Sequence, residues 1–400
     1  MKLYDYQEEG VDFLMRHRRA YLADVPGLGK TAQALLAAKA LQSVPIVIAP
    51  AAAVPVWWDE AKKWDCPLAD VISYTRLARI KPEIVNSLYR TTPLVILDEA
   101  HYVKSPIAVR TKAALKVAGN ARRAWLLSGS PMPNNPSELY TVFNALWPDR
   151  IPENARTFEG WRDHFCQWYS QRISQYRFVP KITGVRNGAQ LREMVRGVML
   201  RRHLEDVNLQ LPPLRLHVVP LPADEAFAGE LETLVEEEGI RTPTVRRLIG
   251  EHKASRIAKI VGDELISPIV LMYHHKEVGK ILRQKLIVRG WRCFGFDGSH
   301  TAEQRGREVE RFQNHPHGPK VFIVQQQAGG IAITLTAAAE IILVEPDWSP
   351  EVNAQAIKRV HRISQDRPTR ARLFKVEDSI DEAIIETLAR KIRMRKEILS

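Results

Sequence analysis

The sequence has few cysteines, and they are dispersed. Cys66, Cys166 and Cys293 lie far apart and form no C-x-x-C pair. A disulfide framework or a structural zinc site needs cysteines at close, repeated spacings, so the sequence argues against both. We expect these thiols to be reduced packing residues.

Long apolar runs are also missing. No run approaches the roughly 20 residues that a helix needs to span a bilayer. The first six residues are too polar for a secretory signal. We therefore expect no membrane partner and no secretion, and we expect a location in a cytosol-like space.

The chain does have length and positive charge. Its 400 residues, 45% of them hydrophobic, suffice for two or three domains. The formal net charge of +12 attracts polyanions and suits a nucleic acid better than a small substrate. Charge alone does not settle the partner, because many basic proteins bind no nucleic acid.

The most informative stretch follows the apolar segment Ala20–Ala23 and reads Asp-Val-Pro-Gly-Leu-Gly-Lys-Thr. A strand, a Gly/Pro loop and an Ala/Leu-rich helix over 30–42 would place a polyphosphate at the start of that helix. Lys30 would reach the outer phosphates, and Thr31 would bind Mg²⁺. The general pattern G-x-x-x-x-G-K-[ST] fails at Asp24, so a purely structural strand-turn-helix remains an alternative.

A second motif ends the apolar strand Leu94–Leu97, where Asp98 and Glu99 are followed by Ala-His. Ligands of open α/β sheets bind at the carboxyl ends of strands. We therefore predict that Asp98 holds Mg²⁺ and that Glu99 orients and deprotonates the attacking water. An acidic helix start explains either residue singly, but it does not explain the carboxylates and the phosphate loop together.

Apolar strands alternate with helical segments in two series, which predicts an α/β fold of two lobes, each a mostly parallel sheet flanked by helices. The predicted strands are 20–23, 45–49, 71–74, 94–97 and 124–127, then 269–272, 292–296, 321–324, 341–344 and 372–376. We predict an interlobe connection over 201–222, around Leu211-Pro-Pro.

A helical insertion is predicted over about 148–200, where aromatic and basic residues interleave. That mixture suits a nucleic-acid groove. An aromatic core with solvated arginines is the alternative. The aromatic residues that interleave with basic ones include Trp161, Phe165, Trp168, Tyr169 and Tyr176. Other tryptophans, Trp57, Trp125, Trp291 and Trp348, are predicted to be core residues.

Two further segments suggest ligand contacts. Gln355, Arg359 and Arg362 would share one face of a helix, and two arginines aimed at a cleft can neutralise a transferring phosphoryl group. By itself such a helix indicates a solvated basic face, but with the first lobe considered we favour the ligand role. Gln7 could pair with an adenine edge; taken alone, a surface glutamine explains it better.

These residues resemble the Snf-two (SWI/SNF-type) family of superfamily-two helicase-like ATPases. The family's Asp-x-x-Gly-Leu-Gly-Lys-Thr loop accommodates Asp24, and its D-E-A-H box is 98–101. The turn 128–131, Leu200-Arg-Arg202 as a second-lobe signature, and 355–365 also match. Tyr273-His-His-Lys and Arg359-Val-His-Arg resemble its annealing-helicase branch. Val25, Pro26, Gln327 and Ala332 depart from the family pattern.

The resemblance implies two RecA-like lobes, an ATP-binding lobe at 1–200 and a helicase C-terminal lobe at 223–400. It implies an ATP-dependent translocase on double-stranded DNA, located where its DNA is, with ATP and Mg²⁺ as cofactors and a targeting protein that the sequence does not identify. A strand-separating DNA or RNA helicase and a non-catalytic DNA clamp are the alternatives.

The resemblance also assigns roles to residues. Catalysis is assigned to Glu99, Asp98, Lys30, Arg359 and Arg362, and the metal to Thr31 and Asp98. Nucleotide binding is assigned to Gln7, Asp24, Gly27, Leu28, Gly29, Lys30, Thr31 and Gln355.

Overall fold

The computed structural model describes residues 3–81, 83–85, 92–174, 177–203, 205–207, 211–239, 242–264, 267–316, 318–326, 333–362 and 364–399. Tyr176, Gln327 and Ala332 lie outside these ranges. The chain forms two compact units, one of Met1–Asn208 with Arg390–Ser400 and one of Leu209–Ala389. In the described part of the chain, no helix combines the length and the apolarity needed to cross a membrane.

The first unit contains a parallel sheet of six strands in the order β3-β2-β4-β5-β1-β8. Its strands are β1 (Arg19–Leu22), β2 (Ile46–Ala49), β3 (Asp70–Ser73), β4 (Leu94–Asp98), β5 (Arg123–Leu127) and β8 (Met199–Leu200). Its helices are α1 (Asp5–Arg16), α2 (Lys30–Ala40), α3 (Val54–Lys63), α4 (Tyr74–Leu77), α5 (Val109–Asn120), α6 (Tyr140–Leu146), α7 (Phe158–Phe165) and α8 (Gly188–Val195).

Helices cover both faces of this sheet, which explains the continuous apolar runs of its strands. Val95 and Leu97 of β4 point into one hydrophobic core, and Leu94 and Ile96 point into the other. The five strands predicted for this lobe are confirmed. Strand β8 was not predicted, because two residues carry too little pattern.

The prediction that 148–200 is a helical insertion holds for α7 and α8 and is wrong for the segment between them. Between α7 and α8 the chain forms an antiparallel ribbon of β6 (Cys166–Ser174) and β7 (Arg177–Val185). Aromatic and β-branched residues are frequent in both strands, and such residues favour extended backbone over helix.

The second unit contains a parallel sheet in the order β11-β12-β10-β13-β14-β9. Its strands are β9 (Leu214–Leu221), β10 (Ile269–Tyr273), β11 (Arg292–Phe294), β12 (Lys320–Gln325), β13 (Glu340–Leu343) and β14 (Thr369–Val376). Its helices are α9 (Glu225–Glu238), α10 (Pro243–Asp263), α11 (Lys276–Val288), α12 (Ala302–Asn314), α13 (Pro350–Ile357) and the first part of α14 (Ile380–Leu399).

Again two cores flank the sheet. Ile269 and Leu271 of β10 face one, and Val270 and Met272 face the other. All five strands predicted here are confirmed. The sixth strand, β9, lies within 201–222, where we predicted only a connection.

Two segments belong to a different unit from the one the sequence suggested. Leu200–Arg202, assigned by resemblance to the second lobe, belongs to the first unit. So does the end of α14, whose Met394 and Ile398 pack in the first unit's core. The tryptophans behave as predicted: Trp57, Trp125 and Trp291 are buried, and Trp348 is partly buried against the second core.

Candidate nucleotide site

The loop between β1 and α2 has the backbone geometry of an anion cradle. Gly27 and Gly29 both have positive φ, 99° and 73°, a conformation that glycine adopts without strain. A Cβ on Gly29 would lie 2.5 Å from the side-chain Nε2 of Gln7, so a larger residue here would displace that amide. Gly29 is the N-cap of α2, and because glycine has no side chain to accept from the first N–H groups of the helix, these groups can donate to an anion.

Lys30 is the first residue of α2. Its Nζ donates a hydrogen bond of 2.6 Å to the carbonyl oxygen of Asp24. Burial lowers the pKa of Lys30, whereas the carboxylates of Glu99, Asp24 and Asp98 act in the opposite direction. The structure thus brings the predicted lysine and the predicted carboxylates into one electrostatic environment. Thr31 follows as the second residue of the helix.

Asp24 lies beneath the loop and is fully buried. Arg202 donates to both of its oxygens, from Nε to Oδ1 at 3.0 Å and from Nη2 to Oδ2 at 2.6 Å. Gln33 of α2 donates to Oδ2 at 3.3 Å and to the Leu28 carbonyl at 2.9 Å. The hydrogen bonds of Asp24 therefore hold the loop against Arg202 and Gln33. The binding of nucleotide by Asp24 remains a prediction.

The position of Arg202 beside Asp24 was not predicted, because the sequence identified this arginine only as part of the Leu200-Arg-Arg202 signature. It also donates to the Tyr6 carbonyl in α1 and, at 2.9 Å, to Oε1 of Gln33. Its side chain therefore connects α1, the loop and α2. Asp24 lies 178 positions away along the chain, and no local pattern indicates such a pairing.

Gln7 also holds the loop. Its Oε1 accepts from the Tyr4 N–H at 3.1 Å, and its Nε2 donates to the Leu28 carbonyl at 3.3 Å. The side chain is buried, so it is not the surface glutamine of the alternative interpretation. An adenine contact stays a prediction.

Asp98 is at the end of β4 and is held by two donors. The Trp57 indole N–H donates to Oδ2 at 2.8 Å, and the Glu99 N–H donates to Oδ1 at 2.9 Å. Burial, together with the negative charge of Glu99, raises the pKa of Asp98 to about 6, although Trp57 and Lys30 act in the opposite direction. Trp57 is thus a positioning residue as well as a core residue.

Glu99 has a left-handed backbone, with φ 46° and ψ 53°, which strains a residue that is not glycine. Hydrogen bonds fix the peptide units around it: the Tyr74 hydroxyl donates to the Asp98 carbonyl at 2.8 Å, and the Tyr102 N–H donates to the Glu99 carbonyl at 2.9 Å. Glu99 makes no side-chain cap bond to the short helix that follows. The cap bond that the acidic-helix-start alternative requires of Glu99 is therefore not formed.

The D-E-A-H segment is connected to the Ser-Gly-Ser-Pro turn after β5. Nδ1 of His101 lies 3.3 Å from Oε2 of Glu99 and 3.1 Å from Oγ of Ser128. A Cβ on Gly129 would lie 2.4 Å from Cδ of Pro26. The turn, the carboxylates and the phosphate loop are therefore in contact within the first unit.

In the second unit, the prediction that Gln355, Arg359 and Arg362 share one helical face is wrong. Helix α13 ends at Ile357, and both arginines follow it in turns. The buried Val360 packs into the core there, and the Arg359 carbonyl accepts from the Leu335 N–H at 2.8 Å. These tertiary contacts end the helix early.

Arg362 donates from Nη1 to the Ile333 carbonyl at 3.2 Å and to Oγ1 of Thr334 at 2.7 Å. Burial lowers the pKa of its guanidinium. Gln355 is half-buried on the last turn of α13. The catalytic roles of these residues stay predictions.

The fit of the site to Mg²⁺ follows from its donor set. A carboxylate at a strand end, a threonine hydroxyl at a helix start and phosphate oxygens are the hard oxygen ligands that Mg²⁺ prefers. The raised pKa of Asp98 also indicates that its carboxylate would gain from a nearby cation. The residues present therefore fit this ion.

Comparison with known proteins identifies two domains in this chain. Residues 70–228 match the SNF2-related domain, and residues 252–364 match the helicase conserved C-terminal domain. The DNA annealing helicase and endonuclease ZRANB3 of Homo sapiens is 29% identical, over 91% of this chain and 37% of that protein. The ISWI chromatin-remodeling complex ATPase CHR11 of Arabidopsis thaliana is 25% identical, over 98% and 42%.

A solved structure, the Sulfolobus solfataricus SWI2/SNF2 ATPase core in complex with dsDNA, covers 100% of this chain and 93% of that chain, with a TM-score of 0.44 and 19% identity. At that score the match adds no argument. The chain spans less than half the length of the curated relatives named above. The two matches, together with two parallel sheets flanked by helices, show that the chain carries an SNF2-related domain followed by a helicase conserved C-terminal domain.

Proposed function

We propose that this chain is an ATP-driven motor that moves along double-stranded DNA. The observation that carries the proposal is the convergence of Lys30, Asp98 and Glu99 at one edge of the first sheet, in a chain that carries an SNF2-related domain. A phosphate cradle beside two carboxylates suits phosphoryl transfer to water.

We assign the residues of this chain the following roles in ATP hydrolysis. Lys30 and the N–H groups of the cradle bind the phosphates, with Gln7 and Gln355 as further nucleotide contacts. Glu99 orients the water and accepts its proton. Thr31 and Asp98 would hold Mg²⁺, which supplies positive charge to the phosphate oxygens. Arg359 and Arg362 of the second unit would stabilise the charge that develops on the transferring group.

DNA as the partner is supported by the relatives and by charge. The relatives are named a DNA annealing helicase and a chromatin-remodeling ATPase. The net charge of +12 favours contacts to the phosphate backbone, which carry no base readout.

One observation favours a second candidate, a strand-separating helicase. The β6–β7 ribbon exposes aromatic rings, and a helicase uses such rings to capture an opened base. A non-catalytic clamp is less consistent with the sequence, since Lys30, Asp98, Glu99, Arg359 and Arg362 are all present.

The test is ATP hydrolysis measured on one preparation with duplex DNA, single-stranded DNA and RNA. We expect strong stimulation by duplex DNA, and loss of hydrolysis in Lys30→Ala with DNA binding retained. Stimulation by single strands alone would support the helicase candidate. Unchanged hydrolysis in Lys30→Ala would show that the cradle is only structural.

A further inference from the structure

The β6–β7 ribbon is an exposed element of the first unit. Among the described strands, β6 and β7 pair only with each other. An isolated two-stranded ribbon is marginally stable in water, so its base must hold it. Cys166 and Val185, the first and last residues of the ribbon, are buried, and the Arg186 N–H donates to the Phe165 carbonyl at 2.9 Å.

All the charged residues of the ribbon are basic. Residues 166–185 contain the basic Arg172, Arg177 and Lys181 and no acidic residue. Such a segment attracts a polyanion. The described part of the ribbon also carries three aromatic rings with large exposed fractions: Trp168 at 37%, Tyr169 at 46% and Phe178 at 58%.

The strand register places rings and cations side by side. Phe178 lies opposite Arg172, and Tyr169 lies opposite Lys181, whose Nζ is 5.6 Å from the tyrosine ring centre. Because side chains alternate between faces, Trp168, Arg172 and Phe178 share one face of the ribbon. Each face therefore combines an aromatic ring with a positive charge.

Trp168 is held in a fixed position. Its indole N–H donates to Oδ1 of Asp163 at 2.9 Å, and the Arg162 guanidinium lies 4.0 Å from its ring centre. Phe178, by contrast, is more exposed and is the second residue of β7. A single exposed ring needs no explanation, but rings on both faces of a basic ribbon suit a ligand with accessible flat faces and negative charge.

Unpaired nucleotides have these properties. Their bases stack on aromatic side chains while the phosphates meet lysine and arginine. Bases of an intact duplex are stacked on one another, so a duplex would use the charges of the ribbon and leave the rings unused. We propose that the β6–β7 ribbon is a binding site for single-stranded DNA, with Phe178 and Trp168 stacking on unpaired bases. This inference takes DNA as the polymer from the proposed function.

The test is fluorescence anisotropy at fixed salt with an oligothymidylate of about 16 nucleotides and a blunt duplex of equal length, without ATP. Phe178→Ala should weaken oligothymidylate binding by roughly fivefold to a hundredfold and change duplex affinity by less than twofold. Phe178→Trp, which keeps an aromatic ring at this position, should bind oligothymidylate about as tightly as the wild type. Ile107→Ala, which shortens an apolar side chain of the first unit that is 82% exposed, is the matched control and should bind like the wild type.

An unchanged oligothymidylate affinity in Phe178→Ala would overturn the proposal, as would equal losses on the duplex. A larger loss on an RNA oligomer than on DNA would overturn the choice of DNA. Because binding is measured without ATP, a wild type that fails to hydrolyse ATP with duplex DNA would refute the proposed function and leave this result intact.

Discussion

At the scale of single residues, the most informative group is Asp98. Burial and the charge of Glu99 raise its pKa to about 6, and the Trp57 indole lies against it as a donor. Above that pH the carboxylate is available to a metal, and below it the proton occupies the same oxygens. Proton and Mg²⁺ therefore compete for one group.

We predict that ATP hydrolysis falls as the pH decreases through about 6, and that a higher Mg²⁺ concentration moves this acid limb to lower pH. Trp57→Phe removes a donor that favours the carboxylate, so it should move the limb to higher pH. Trp64→Phe is the control, because that indole donates to Glu60 instead, at 3.0 Å. The measurement is the rate of ATP hydrolysis against pH at two Mg²⁺ concentrations. An acid limb that shifts neither with Mg²⁺ nor in Trp57→Phe would refute the prediction.

At the scale of elements, the buried Arg202–Asp24 pair connects α1, the phosphate loop and the segment after β8. Removing one partner of a buried ion pair leaves an uncompensated charge. We predict that Arg202→Met lowers the free energy of unfolding of the first unit by about 3–5 kcal/mol, and that adding Asp24→Asn recovers part of that loss.

Urea denaturation of the wild type, both single variants and the double variant measures the coupling. Arg16→Met is the control, since its partner Asp12 lies 3.5 Å away and both side chains are largely exposed; it should have little effect. A loss in Arg202→Met no greater than in this control would contradict the assigned role.

The elements also show what could be predicted from the sequence. Fully buried parallel strands such as β4 and β10 were predictable, because helices on both faces demand unbroken apolar runs. The β6–β7 ribbon was predicted as helix, although its aromatic and β-branched residues favour extended backbone. The end of α13 at Ile357 depends on Val360 packing into the core, which no local pattern reveals.

The residues of the candidate site also fall into those that local sequence predicts and those that it does not. Lys30, Asp98 and Glu99 lie in short motifs whose chemistry is local, and these could be named from the sequence. Arg202, Gln33 and the donor role of Trp57 depend on contacts between distant segments. They became visible only in three dimensions.

At the scale of the whole molecule, the chain is basic, contains two parallel α/β units, and matches less than half the length of the relatives named above. Tracking an intact duplex needs contacts to the backbone only. Opening it costs about 1.4 kcal/mol per base-pair step in lost stacking. A motor that only tracks the duplex avoids this cost.

The most direct measurement is displacement of a triplex-forming strand from a duplex, run beside the opening of a tailed duplex on the same preparation. We predict ATP-dependent triplex displacement by the wild type, none by Lys30→Ala, and no opening of the tailed duplex. Efficient ATP-driven opening of the tailed duplex without triplex displacement would contradict it.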